Sequence, residues 1–185
     1  MRPESQIDKL ANEFVRTLAK NYPSFSTEMG FPGGEREMDD HSPEALERDY
    51  QLAKDTIATL KTLPIQDEVD EVTLDAMVQS LQSETAQHES GLVYRNLNNI
   101  ASPAQGVRDI FDLTPTDSVA NWEDISHRLR KVGESLAGYQ RTLSIGFDSG
   151  DAPAKRQVEA VIEQIAQIVD GMFFVSVPVI LWSMY

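Results

Sequence analysis

Cysteine is absent from this sequence, which removes disulfides, thiolate zinc sites and cysteine nucleophiles together and fits a reducing cytoplasm. Positive charge is scarce: 16 Lys and Arg stand against 30 Asp and Glu, a formal charge of −14. Such a surface repels nucleic acid and anionic lipid, so no nucleic-acid or peripheral-membrane role is expected. An apolar leader is missing too. Met1-Arg2-Pro3-Glu4-Ser5 runs straight into Ile7-Asp8-Lys9, no signal peptide is visible, and a cytoplasmic location is the expectation.

Histidine is nearly absent as well. His41, His88 and His127 fall on different predicted elements, whereas zinc needs three or four ligands brought together. His88-Glu89-Ser90-Gly91-Leu92 begins like H-E-x-x-H but places leucine where the second ligand must stand one helical turn along. Gly30-Phe31-Pro32-Gly33-Gly34 lacks the lysine and hydroxyl of a phosphate loop, and its proline removes an N–H the anion needs. No G-x-S-x-G elbow occurs. The carboxylates Asp67, Glu68, Asp70 and Glu71 have no glycine-turned loop of the kind calcium sites use, and read as a solvated helix start favoured by the macrodipole. No catalytic, cofactor-binding or metal-ligating residue is assigned, and no cofactor is expected for this chain.

What the sequence does have is helical periodicity. Ser5 is placed to cap a first helix with an apolar face of Ile7, Leu10, Ala11, Phe14, Val15 and Leu18, ending near Asn21 before Pro23. A short turn over Phe25–Met29 precedes a glycine-rich interruption and an acidic loop, Glu35–Asp40. Ser42-Pro43-Glu44 is a strong helix start, and the stripe Leu46, Tyr50, Ala53, Ile57, Leu60 runs until Pro64. Leu74, Met77, Val78, Leu81, Thr85 and His88 share the next face up to Gly91, which places His88 at its wet end as a satisfied structural histidine. A turn-rich connection from Tyr94 to Gly106 leads to a short helix from about Ala104.

The longest pattern lies between Val119 and Leu143, where Trp122, Ile125, Leu129, Val132, Leu136, Tyr139 and Leu143 alternate by three and four. It predicts the seam of a central helix with Leu129, Val132 and Leu136 buried. Gly133 and Gly138 each weaken the helix by about 1 kcal/mol relative to alanine without ending it, and small residues there let a neighbouring backbone come close. Arg128, Arg130 and Lys131 are expected on its polar side, paired with acids. Ile145–Gly150 reads as a loop. Asp151 and Pro153 open a last helix with Val158, Val161, Ile162, Ile165, Ile168 and Val169 on one side.

The fold class expected is therefore all-α: a multi-helix bundle around a long central helix, spanning residues 1–170, with an irregular apolar tail over 171–185. That tail, from Met172-Phe173-Phe174 to Trp182, is uncharged but shorter than the about 20 apolar residues a membrane span takes. It is expected not to complete the bundle and to promote self-association or cover by a missing domain.

The order of pieces carries a resemblance. Tyr22-Pro23-Ser24-Phe25-Ser26-Thr27-Glu28-Met29-Gly30, then Asp40-His41-Ser42-Pro43-Glu44-Ala45, the acid-led Asp70–Leu81, the Asn-rich Asn96–Phe111 and Gly150-Asp151-Ala152-Pro153-Ala154-Lys155-Arg156-Gln157-Val158 resemble the N-terminal region of the bacterial family called domain of unknown function 885. The likeness covers about Phe14 to Ile168. It implies a mostly helical protein related to zinc-dependent peptidases, whose longer members carry His-Glu-x-x-Pro-Gly-His-His in their C-terminal half. No such motif stands here, so the resemblance supplies no catalytic residue and implies zinc only for full-length relatives. The departure near Met172 implies a truncated or frame-shifted product. The expected function is an uncharacterised helical module of a metallopeptidase-like protein, inactive alone; the alternative is a stand-alone helical binding or protein-interaction module.

Overall fold

The computed structural model describes residues 2–170, and the predicted apolar tail lies outside them. Within these residues the order is α1 (Gln6–Asn21), α2 (Pro23–Met29), α3 (Pro43–Leu60), α4 (Glu68–Glu89), a 3-10 turn at Leu92–Arg95, α5 (Pro103–Asp112), α6 (Val119–Asp148) and α7 (Lys155–Val169), with no strand. The chain is all-α, as the periodicity implies.

Helix starts follow from local chemistry. Ser5 Oγ accepts the Asp8 N–H at 3.0 Å while the Asp8 carboxylate accepts the Ser5 N–H at 2.9 Å, a capping box that satisfies donors the first helical turn leaves open. Ser42 Oγ caps α3 through the Ala45 N–H, Asp67 caps α4 through the Asp70 N–H, and Ser118 caps α6 through the Asn121 N–H. Each such cap is worth about 1 kcal/mol.

The most extensive pairing is the α3–α4 hairpin, against which α1 also packs. Ile7, Leu60, Leu81 and Ile110 are the largest fully enclosed apolar side chains among the described residues. The acidic start of α4 is not wholly solvated, contrary to the sequence expectation. Asp70 is completely buried because the N-terminal segment folds over it: Ser5 Oγ donates to its carboxylate at 2.6 Å, the Gln66 N–H at 3.0 Å and Arg2 at 3.3 Å. The Ser5 hydroxyl foremost, then the Gln66 N–H and Arg2, hold this carboxyl below the ordinary aspartate range although burial pushes it up.

A depressed carboxylate contributes stability that is complete above its unfolded value and is lost as pH falls through its folded value. Asp70→Asn, which turns one acceptor oxygen into a donor facing other donors, should lower the thermal midpoint at neutral pH and flatten its decline in acid. Midpoints measured across the acid range check this, and parallel curves for the two proteins would defeat it.

Helix α6 departs most from expectation. It is 30 residues long and continues through Gly146 to Asp148, where a loop was expected to begin at Ile145. Its predicted seam does not face the core: Leu129 is 54% exposed and Leu136 38%, Val132 is half-buried, and only Tyr139 of the seam is enclosed. The buried residues are instead Arg128, Ser135, Gly138, Tyr139, Thr142 and Gly146. At 100° per residue the centre of this row lies about a quarter-turn from the seam. Small and polar side chains let the backbone of other segments lie directly on the helix. A Cβ at Gly138 would be 3.1 Å from the Ser42 nitrogen, and one at Gly146 only 2.3 Å from the Tyr94 carbonyl oxygen.

Candidate functional site

The segment between α2 and α3, residues 31–42, has no helix or strand ladder of its own, so its backbone groups need partners elsewhere. Helix α6 supplies them. Arg128 donates from Nε to the Glu37 carbonyl at 3.1 Å, from Nη1 to Thr114 Oγ1 at 2.6 Å, and from Nη2 to Thr27 Oγ1 at 2.5 Å and the Gly34 carbonyl at 2.8 Å. Ser135 donates to the Asp39 carbonyl and Thr142 to that of His41, each at 2.7 Å, and Lys131 pairs with Glu37. The segment is thus strapped along α6 by side chains three, four and seven residues apart on one face.

Arg128 is fully buried and has no carboxylate in direct contact. The expectation that it pairs with acids on the polar face is corrected here. Burial draws its guanidinium below the ordinary arginine value, opposed through space by Glu35, Asp39 and Asp124, and arginine stays cationic regardless. Four acceptors occupy its fork of five N–H donors. Arg128 therefore acts as a clamp joining α2, the strap, the α5–α6 junction and α6.

Two open clefts flank the strap. One of about 480 Å³ lies between α1, α2 and the strap, lined among others by Arg16, Lys20, Phe31, Pro32 and Met38. The other, about 270 Å³, is lined by Thr27, Phe31, Glu35, Pro115, Asp124 and Arg128. Phe31 and Pro32 belong to both walls, so the tip of the strap divides them.

The histidines stay apart in the chain's architecture: His41 on the strap, His88 at the end of α4, His127 on α6. Burial draws His41 below the ordinary imidazole range, against the pull of Asp39 and Asp40. His88 is half-buried between aromatic rings: its ring stacks on Tyr50 with centroids 4.3 Å apart, and Tyr94 tilts against it at 5.8 Å. Its Nε2 is buried without a hydrogen bond, 3.7 Å from a Glu47 oxygen, so it is not the satisfied histidine the sequence suggested. Among the described residues no group of three His, Asp or Glu side chains is placed to hold a metal ion. No helix among them is long and apolar enough to cross a membrane.

The strap residues were missed in the sequence because Ser, Thr and Gly register as surface. A signal was nevertheless present: Arg128, Lys131, Ser135, Gly138, Thr142 and Gly146 follow one another at spacings of three or four, as the apolar seam beside them does. No curated protein matches the chain. The family model described as "Bacterial protein of unknown function (DUF885)" matches residues 23–177. That span takes in α2 through α7, including the strap, the Arg128 clamp and the cleft beside it, while the α1 wall of the other cleft precedes it, and the chain belongs to this family.

Proposed function

We propose that the chain is a non-catalytic helical module of a metallopeptidase-like protein, and that it docks against the metal-binding part of such a protein through α7. The observation that carries this is the outward apolar row of that helix: Ile162 is 61% exposed and Val169 78%, with Ile165 between them. Of the apolar residues on α7 only Val161 is fully enclosed. Polar amides supply the hydrogen bonds that hold α7 to the rest: Gln105 to Gln164, Gln164 to the Asn99 carbonyl and the Asn99 N–H to Gln157. An amphipathic helix with its apolar side open is the recurring means by which helical parts join. The metallopeptidase relation rests on the resemblance of the segment order. Lack of cysteine fits a cytoplasmic setting.

The test mixes the full chain with a separately produced segment of a family member bearing His-Glu-x-x-Pro-Gly-His-His. Binding is expected, and Ile162→Asp with Ile165→Asp should abolish it while leaving helicity intact. Hydrolysis of a peptide panel by the chain alone with added zinc, lost on chelation and in His88→Ala, would overturn the non-catalytic reading. The same open surface also suits a dedicated binding protein, and gene neighbourhood separates the two: a module has the histidine-bearing segment encoded beside it.

A further inference from the structure

The displaced seam of α6 has a symmetry that its predicted role does not explain. Trp122, Leu129, Leu136 and Leu143 stand at spacings of seven, and Leu129 and Leu136 are exposed while Trp122 and Leu143 are half-buried. About a third of a turn round the helix from them, on one flank and all exposed, run Glu123, Arg130, Glu134 and Arg141, with Gly133 between the two rows. Reversing the direction of the helix about its midpoint near Val132 and Gly133 places Leu129 on Leu136 and Trp122 on Leu143. The same reversal places Arg130 on Glu134 and Glu123 on Arg141. Both rows are palindromes, the first in shape and the second in charge.

We infer that a second copy of this chain docks antiparallel along α6, with the two-fold axis passing by Val132 and Gly133. An isologous two-fold contact requires a surface complementary to itself. In an antiparallel helix pair the same flank of each helix meets its counterpart, so each Arg130 meets the Glu134 of the other copy and each Glu123 its Arg141. A parallel pairing would set like charges opposite each other at all four positions, and charges at these flanking positions choose partner and orientation. At the crossing point Gly133 is exposed and a Cβ built there meets nothing within 4 Å, which leaves room for a neighbouring backbone. Within the monomer three of the four charges already have surface partners: Arg130 with Ser126 at 3.0 Å, Arg141 with Glu44 at 2.7 Å, and Glu123 near Arg36 at 3.9 Å. Exposed pairs of this kind exchange at little cost.

The contact runs about 32 Å along one helix face, below the size of a standard permanent interface, so the dimer is reversible and concentration-dependent. This surface is separate from the α7 row, and the inference stands or falls independently of the proposed function. Sedimentation equilibrium of the full chain tests it. The wild type should pass from monomer to dimer with rising concentration. Arg130→Glu should weaken the dimer about tenfold or more, since two exposed pairs turn from attractive to repulsive. Arg130→Glu combined with Glu134→Arg should restore it, because the palindrome is re-formed with signs exchanged. Leu129→Asp, at a position exposed in the monomer, should abolish dimerisation with helicity unchanged. A monomer at every concentration, or association that none of these changes alters, would overturn the inference.

Discussion

Replacing Arg128 with methionine is expected to lower the free energy of unfolding by about 2 to 4 kcal/mol: hydrogen bonds to a charged donor are worth about 1.5 to 3 kcal/mol each, and release of the guanidinium from its desolvation offsets part of the loss of four. Methionine fills most of the volume but donates nothing. The Gly34 carbonyl and the Thr114 hydroxyl then lose a charged donor at buried positions, and the Glu37 carbonyl and the Thr27 hydroxyl lose one at part-buried positions. Domains of this size have about 5 to 15 kcal/mol in total, so the variant should be visibly close to unfolding. Arg128→Lys should recover little of the loss. An ammonium keeps the charge, but it is a single point with three donors and cannot span acceptors arranged around a planar fork. Urea denaturation of the three proteins is the measurement; a methionine variant within about 1 kcal/mol of wild type would show that the strap is held by other means.

The second large effect is expected at Gly146. By helix propensity alone, alanine inside α6 should stabilise by about 1 kcal/mol. Its methyl, however, would stand 2.3 Å from the Tyr94 carbonyl oxygen and 2.9 Å from the carbonyl carbon, with the Asp151 oxygen at 3.3 Å. All three are backbone atoms, and no side chain can rotate away. Relieving the clash means moving α6 off the 3-10 turn, an overpacking cost at or above the top of the about 1 to 3 kcal/mol range. Gly146→Ala should therefore destabilise by about 2 kcal/mol net. Gly106→Ala on α5 is the control: a Cβ there meets nothing, and it should be neutral or stabilising. Thermal unfolding of the two variants distinguishes propensity from contact, and a stabilised Gly146→Ala would mean that the two backbones separate easily.

Both positions show where the sequence could be read and where it could not. Element starts were legible because they depend on the next three residues: Ser5 with Asp8, Ser42 with Pro43, Asp67 with Asp70. The fold class was legible for a similar reason, since periodicity is a local property. The orientation of α6 was not. Alternation of Trp122, Leu129 and Leu136 identifies a stripe that would suit burial, but nothing local says that a neighbouring segment will take the adjacent face instead. That face won because the residues after α2 need partners for bare carbonyls, which hydroxyls and a guanidinium provide and leucines do not. Ile145–Gly150 reads as a loop because glycines bound it and glycine usually breaks helices; the role of Gly146 in α6 is to leave out a side chain where two backbones cross. Asp70 escaped notice because its partners, Arg2 and Ser5, lie more than sixty residues upstream.

The bonds that hold residues 31–42 on α6 also set an order of events in folding. Their separations along the chain are 91, 94, 96 and 101 residues, against neighbours in sequence for the α3–α4 hairpin. Contacts that distant form only after the intervening chain has been gathered in, so their loop-closure entropy is met late. On the ribosome the disparity is sharper. Residues Gly34 to His41 emerge early, yet their acceptors stay with water until Arg128, Ser135 and Thr142 have been synthesised and released. Throughout that interval the hairpin can already be complete while the strap is an open loop, and it is the arrival of α6 that converts it into structure.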